Sequence, residues 1–89
     1  MARRRVELRI IGQRIKELRT NMNYSQKETA DFLNVSIDTV KNWEQGWNYP
    51  RIEDMIKMAD MFECDIDYIF GRQEHPKREF KAYSEYTDL

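Results

Sequence analysis

Apolar residues recur at helical spacing near the start of the chain, where most of the other positions are polar or charged. Ile11, Ile15, Leu18 and Met22 follow one another at steps of four, three and four residues. Such a stripe places the four side chains on one face of an α-helix and leaves the charged residues on the other faces. The pattern predicts an amphipathic helix from about residue 7 or 9 to residue 21.

Two shorter helices with a tight corner between them are predicted in the middle of the chain. Ser25 is followed three positions later by a glutamate, which is the spacing of a capping box at a helix start. Asn34 lies where the chain must turn, and asparagine is the commonest non-glycine residue in the left-handed conformation that ends helices. Ser36 is a second capping residue. These signals predict helices over residues 26–33 and about 37–45.

A further apolar stripe predicts a fourth helix over residues 52–62, with its apolar face in the core. The stripe consists of Ile52, Met55, Ile56, Ala59 and Phe62. A short fifth helix, about residues 66–70, is predicted to follow the cap residue Asp65 and to end at Gly71. The predicted fold class is therefore all-α, with five helices.

Several short segments within this pattern resemble one known family. They are SQKETA at residues 25–30, the apolar–serine pair at 35–36, WEQG at 43–46, and Pro50. In this register the chain resembles the phage-repressor and Cro-like helix-turn-helix regulators, also called Xre-like, from about residue 11 to residue 71. The resemblance implies a five-helix DNA-binding domain of the phage-repressor type, with the helix-turn-helix at helices two and three.

The same resemblance implies a sequence-specific transcriptional regulator that binds duplex DNA as a homodimer. Two-fold symmetry of the dimer predicts a roughly palindromic operator with half-sites about one helical turn apart. Repression is favoured over activation, because covering a promoter requires only occupancy whereas activation requires a contact with polymerase.

The resemblance also implies which side chains contact DNA. Gln26 is expected to bind a phosphate oxygen together with the free amides of its helical turn. The base-reading positions lie at the start of helix three and one turn later: Ser36, Ile37, Asp38, Lys41 and Asn42. Asn can bond an adenine edge, Lys a guanine and Ile a thymine methyl. Asp38 can accept from cytosine, but it has a second interpretation as an acid that stabilises the helix start. Thr39 is expected to add a bond to phosphate or to the backbone.

The loop after helix three, GWNYPR, contains aromatic residues where basic ones are frequent in the family. Trp47 and Tyr49 are each expected to pack either on the sugar-phosphate backbone or across a dimer axis. A third alternative for Trp47 is that it folds back onto helix four. Asn48 and Arg51 are expected to donate to phosphates. Further dimer candidates, at the end of the domain through which family members often pair, are Tyr68 and Phe70.

Two charged residues are expected to hold the domain together rather than to contact DNA. In the family, the arginine seven residues before the glutamine of helix two pairs with the glutamate that ends helix three, and here these residues are Arg19 and Glu44. An ion pair between helices one and three would fix how helix three is presented. Thr29 departs from the leucine usual in the family and is expected to thin the core slightly.

The distribution of charge favours a DNA partner, although the net formal charge is −1. Residues 1–24 carry seven basic side chains against two acidic ones, whereas residues 51–71 carry two against six. The basic end can face phosphate, while the acidic part weakens long-range attraction, so affinity is expected to fall steeply as salt rises.

The chain is expected to comprise a basic arm over residues 1–8, the DNA-binding domain over 9–71 and a tail over 72–89. The arm is either a solvated terminus or a segment that neutralises phosphates or enters a minor groove. Its arginines are Arg3, Arg4 and Arg5. The tail is either mostly disordered or a short helix on the body or on a second subunit. A protein partner bound by this tail gives the alternative function, that of an antitoxin or adaptor.

Enzymatic activity finds no support in the sequence. There is no glycine-rich phosphate loop, no paired Cys or His for zinc, and no nucleophile with a plausible base. His75 lies in the tail, and Cys64 is expected to be a small buried residue. No metal or cofactor is expected. With no long apolar run for a membrane span and no secretory signal, the expected location is the cytoplasm.

Overall fold

The computed structural model describes the backbone of residues 2–76 and the side chains of residues 5–76. The described residues form five α-helices in the predicted order, which confirms the all-α fold class. They are α1 (Ala2–Asn21), α2 (Gln26–Leu33), α3 (Ile37–Glu44), α4 (Ile52–Met61) and α5 (Ile66–Ile69).

Helix α1 begins at Ala2, earlier than the predicted start at residue 7 or 9. Leu8 is buried and extends the apolar stripe one turn towards the amino terminus. Glu7 is held from outside the helix, since the Tyr49 hydroxyl donates to Glu7 Oε1 at 3.0 Å. Residues 2–8 therefore continue α1, and the role of residues 1–8 as a DNA-contacting arm stays a prediction.

The caps that the sequence predicts for α2 and α3 are present. Ser25 Oγ accepts from the Glu28 amide at 2.9 Å, and the Glu28 carboxylate accepts from the Ser25 amide at 2.8 Å. Asn34 ends α2 in the left-handed conformation, with φ 59° and ψ 46°. Ser36 Oγ accepts from the Thr39 amide at 3.1 Å and so begins α3. These local bonds fix the corner between the two helices.

The core lies where α1 packs against α3 and α5, and where α2 and α4 close the remaining side. Its most deeply buried apolar side chains are Ile11, Ile15, Leu33, Val40, Met58, Cys64 and Ile69. Thr29 is fully buried among them, and its hydroxyl has no hydrogen-bond partner in the described part of the chain. The departure from leucine at this position therefore leaves an unpaired polar atom in the core.

The predicted core face of α4 is wrong at two positions. Ile52 and Ile56 are 64% and 49% exposed, whereas Met58, which the predicted stripe left out, is fully buried. The side chains that α4 turns inwards are Met55, Met58, Ala59 and Phe62. Because a helix at the edge of a small domain has neighbours on one side only, the rest of its apolar surface meets solvent.

Asp65 occupies the N-cap position of α5 but makes no side-chain cap bond there, contrary to the prediction. Its carboxylate instead accepts from Gln73 Nε2 at 2.9 Å, while the Asp65 amide donates to the Pro76 carbonyl at 3.1 Å. Helix α5 is thus joined to the segment that follows it. Gly71 ends the helical region with φ +80°.

Candidate nucleic-acid interface

Helix α3 presents a polar face to solvent and an apolar face to the core. Val40 and Trp43 are buried, which fixes the rotation of the helix on the domain. Of the predicted base-reading side chains, four are exposed and Asn42 is half-buried: Ser36, Ile37, Asp38, Lys41 and Asn42. All five are therefore at least partly accessible to a partner.

The first turn of α3 shows which residue caps the helix. Ser36 Oγ accepts a hydrogen bond from the Thr39 amide and also lies 2.9 Å from Thr39 Oγ1. Asp38 is therefore not the hydrogen-bonding cap, although its carboxylate still lies in the first turn, where the helix dipole favours a negative charge. Both hydroxyls already form hydrogen bonds within the first turn. A contact of Ser36 or Thr39 with nucleic acid would therefore have to form in addition to these bonds.

The predicted ion pair joins α1 to the end of α3. Arg19 Nε lies 2.6 Å from Glu44 Oε2, and Arg19 Nη2 lies 3.1 Å from Glu44 Oε1. The third guanidinium nitrogen, Nη1, donates to the Tyr24 carbonyl at 2.9 Å. The side chains are only 11% and 4% exposed, so this two-pronged pair is largely shielded from water.

Gln26 is tied to the same carboxylate. Its Nε2 donates to Glu44 Oε1 at 3.1 Å across the corner between α2 and α3. An amide NH₂ has two donor hydrogens, so one remains for a phosphate oxygen. The phosphate contact of Gln26 stays a prediction, but the structure adds a structural role that the sequence pattern did not indicate.

A glycine that sequence reasoning missed sets the distance between α1 and α3. A Cβ built on Gly12 would lie 2.4 Å from the Trp43 carbonyl oxygen and 2.8 Å from that of Glu44. Gly12 therefore lets the backbone of α1 approach the carboxyl end of α3 directly. An isolated glycine inside a helical pattern was the available signal, since such a residue often marks a close approach.

Three residues predicted to contact phosphate line one recess between α3 and the start of α4. The recess has a volume of about 310 Å³, and Thr39, Asn48 and Arg51 lie at its wall. Arg51 is exposed, with Nε 3.6 Å from the carboxylate of buried Asp54. The Arg51 side chain is 74% exposed, so its guanidinium is accessible to a phosphate.

The two loop aromatics differ in their surroundings. Trp47 is 69% exposed and its indole N–H donates to Gln45 Oε1 at 2.7 Å, so it does not fold back onto α4. Tyr49 is half-buried and its hydroxyl is bonded to Glu7. Contact with DNA or with a second subunit stays a prediction for both, with Trp47 the more accessible of the two.

Tyr68, a predicted dimer contact, is instead a core residue that is only 4% exposed. Its hydroxyl donates to Glu17 Oε2 at 2.7 Å, and the guanidinium carbon of Arg14 lies 3.9 Å from the centre of its ring. Burial raises the pKa of the Tyr68 phenol, and the bond to Glu17 adds to this shift. Phe70 is half-buried and can reach a second copy only in part.

Several predicted features lie at or beyond the limits of the described residues. Arg5 is exposed, while the side chains of Arg3 and Arg4 lie outside the described set. The tail is described only to residue 76, so its predicted role in binding a protein partner falls outside that part. His75 is exposed, and Cys64 is buried as predicted.

Among the described residues, no helix is long and apolar enough to cross a membrane. The same part of the chain holds no group of three or more His, Cys, Asp or Glu side chains that could bind a metal ion.

A helix-turn-helix family model, HTH_3, matches residues 15–69. The HTH-type transcriptional regulator ImmR of Bacillus subtilis is 31% identical over 68 residues, which are 76% of this chain and 54% of that protein. The Vibrio cholerae cryptic phage CTXphi transcriptional repressor RstR is 34% identical over 62 residues, which are 70% of this chain and 55% of that protein. The chain thus spans about half the length of these curated relatives.

A solved structure shares the fold over nearly the whole length of the solved chain. The restriction-modification controller protein C.AhdI from Aeromonas hydrophila superposes with a TM-score of 0.67 at 26% identity. The match covers 73% of this chain and 98% of that one. The fold of this chain is therefore shared with a known controller protein.

Proposed function

Because the chain belongs to the helix-turn-helix family, we propose that it is a transcriptional regulator that binds duplex DNA through α3. The observation that carries this proposal is the exposed polar face of α3, held in place by the Arg19–Glu44 pair. An α-helix fits the major groove, where each base pair presents a distinct set of donors and acceptors.

Base reading is assigned to the exposed face of α3. Asn42 can form two bonds with an adenine edge and Lys41 can reach guanine, while Ile37 can contact a thymine methyl. Ser36 and Asp38 complete the surface at the first turn. Each good contact contributes about 1 to 3 kcal/mol of discrimination against a wrong base.

Positioning on the phosphate backbone is assigned to residues around α3. Gln26 lies at the start of α2, where free backbone amides favour an anion. The recess that Thr39, Asn48 and Arg51 share supplies further donors beside α3. Arg3, Arg4 and Arg5 at the start of α1 extend the basic end of the molecule. Such contacts orient the protein and make its affinity sensitive to salt, but they carry no sequence information.

The regulator is proposed to act as a repressor that binds a palindromic operator as a homodimer. The relative RstR is named a repressor, and ImmR is named a regulator. Occupancy of a promoter is enough to block transcription, whereas activation also requires a contact with polymerase. Two-fold symmetry would place two copies of α3 about 34 Å apart, one turn of B-form DNA.

Selection of bound sequences from randomised duplex DNA tests the proposal. The full chain is compared at two salt concentrations with Asn42→Ala and with a matched control, Asn21→Ala, which removes an exposed amide at the end of α1. We expect a two-fold-symmetric motif that the control recovers unchanged and that Asn42→Ala blurs at particular positions. Recovery of no motif, with all binding lost as salt rises, would overturn sequence-specific reading.

A further inference from the structure

A recess between α2 and the end of α4 is lined by aromatic, thioether and acidic side chains. Its volume is about 400 Å³, and its described lining residues are Tyr24, Glu28, Phe32, Asp60 and Met61. This volume falls within the range of about 300 to 1,000 Å³ that is common for small-ligand sites. None of these residues is assigned to DNA, so the recess is a surface separate from the nucleic-acid interface.

Two aromatic rings form the apolar walls of this recess. Tyr24 is half-buried, and its ring pairs with the buried ring of Phe62, with 6.4 Å between the ring centres and a tilt of 38°. The Tyr24 backbone is also held, because its carbonyl accepts from Arg19 Nη1 at 2.9 Å. Phe32 is 57% exposed, although phenylalanine is among the residue types most often buried. One ring is thus fixed by the core, and the other is open to a ligand.

The acidic residues of the recess favour a positively charged ligand. Glu28 and Asp60 are both exposed, and no basic residue is among the described residues that line the recess. Glu28 Oε1 accepts from the Ser25 amide at 2.8 Å, which anchors this carboxylate at the start of α2. A carboxylate has about four acceptor sites, so Glu28 can bind a cation without losing its bond to Ser25.

We propose that this recess binds a small organic cation with an apolar body, such as an aromatic or alkyl ammonium compound. The face of an aromatic ring attracts a cation that lies within about 6 Å of the ring centre. The apolar body contacts the rings and the thioether of Met61, which is unbranched and adapts to irregular shapes. The cationic group lies between the rings and the side chains of Glu28 and Asp60. A neutral compound of the same shape gains only the apolar contacts, and an anion is repelled.

An NMR titration of the full chain without DNA tests the site, because the backbone amide signals report both affinity and location. The probe is benzyltrimethylammonium, which combines an aromatic body with a fixed positive charge. Since Phe32 leaves the recess open to solvent, we expect saturable binding with a dissociation constant of about 1 mM or tighter. The largest shifts are expected at the lining residues. No saturation up to about 10 mM would overturn the site.

Two further compounds test the role of charge. Benzyl alcohol is neutral and phenylacetate is an anion, and both carry the same aromatic ring as the probe. We expect benzyl alcohol to bind about tenfold more weakly than the probe, and phenylacetate not to bind. Equal affinities for the cation and the neutral compound would contradict the proposed ligand class.

Variants that remove charge without changing shape test the acidic residues. Glu28→Gln keeps an oxygen for the Ser25 amide, because glutamine also completes a capping box. Glu28→Gln combined with Asp60→Asn is expected to weaken binding of the probe about tenfold. Asp31→Asn is the control, since it removes an exposed acid of α2 that does not line the recess, and it should change the affinity by less than about twofold.

Variants that remove a ring test the aromatic wall. Phe32→Leu keeps an apolar side chain and is expected to weaken binding about threefold or more. Trp47→Leu removes a ring outside the recess that is even more exposed, at 69%, and is expected to leave the affinity unchanged. Circular dichroism checks that every variant is folded. Unchanged affinity in Phe32→Leu or in the doubly neutralised variant, or loss of binding in Trp47→Leu, would overturn the assignment to this recess.

A last compound distinguishes a small molecule from a protein partner. N-acetyl-arginine amide presents the side chain that a basic segment of a protein would insert. Tighter binding of this compound than of benzyltrimethylammonium would assign the recess to such a segment and overturn the small-molecule ligand. Because DNA is absent from every titration, a chain that selects no DNA motif would contradict the proposed function and leave this site intact.

Discussion

Gly12 on α1 lies against the carbonyl oxygen of Trp43, so closely that a Cβ added to the glycine would be 2.4 Å from that oxygen. The atom it meets belongs to the backbone of α3 and cannot rotate away as the end of a flexible side chain would. The absence of a side chain at this position thus sets the distance between α1 and α3.

Replacing Gly12 with alanine is expected to destabilise the domain, although the same change in an exposed helix stabilises it by about 0.5 to 1 kcal/mol. Overpacking at a close contact typically costs about 1 to 3 kcal/mol, and here α3 must move outwards. Urea unfolding measures the change. Gln13→Ala, at the exposed neighbouring position, is the control and should be close to neutral. A Gly12→Ala chain as stable as the control would show that α1 and α3 separate at little cost.

Loss of Arg19 is expected to cost up to about 3 to 5 kcal/mol, because Glu44 would remain largely buried without its cation. Arg19→Met, Glu44→Met and the double variant form a thermodynamic cycle in urea. We expect the double variant to lose less than the sum of the two single losses. Additive losses would mean that the two side chains are not energetically coupled.

An exposed ion pair in the same chain provides the comparison for this cycle. Lys27 and Asp31 are 3.0 Å apart on α2, but their side chains are 69% and 66% exposed. Lys27→Met is therefore expected to change the free energy of unfolding by no more than about 0.5 kcal/mol.

Replacing Thr29 with valine is expected to stabilise the domain by about 1 kcal/mol. Valine has nearly the same shape, and the change removes a buried hydroxyl that has no partner among the described residues. Thr20→Val is the matched control, because the Thr20 hydroxyl donates to the Lys16 carbonyl at 2.8 Å. A lower melting temperature for Thr29→Val than for wild type would indicate that the hydroxyl is satisfied in solution.

The stability supplied by Tyr68 is expected to fall at high pH. Its pKa is raised in the folded chain by burial and by Glu17, so the native state holds the phenolic proton more tightly than the unfolded state. This contribution is fully present below the unfolded pKa of about 10 and is lost as the pH rises through the folded value. The difference in unfolding free energy between wild type and Tyr68→Phe should therefore shrink above that pH. A constant difference would contradict the shift.

The features that follow from local spacing were predictable from the sequence. The capping box at Ser25 and the left-handed Asn34 depend on neighbouring residues only, so a short segment specifies them. The pair of Arg19 and Glu44 joins distant helices and came instead from the resemblance to a family. The structure shows that pair with two bonds between the side chains.

The features that the sequence did not indicate depend on which elements become neighbours. Ile52 and Ile56 belong to an apolar stripe that reads as core, but α4 has packing partners on one side only. Tyr68 lies close to an end of the domain in sequence and was expected at a surface, yet it is covered by Arg14 and Glu17 of α1. Periodicity shows that a face is apolar, and the assembled fold decides whether that face is covered.

The convergence of Arg19 and Gln26 on one oxygen of Glu44 links three helices at a single atom, with both bonds 3.1 Å long. If α3 reads DNA as proposed, this shared oxygen fixes the distance between Gln26, which is assigned to phosphate, and the residues of α3 that are assigned to bases. The offset between a backbone phosphate and the base edges is then fixed by the protein rather than adjusted to the site. The protein should therefore have lower affinity for operators whose groove is wider or narrower, even where every contacted base is unchanged.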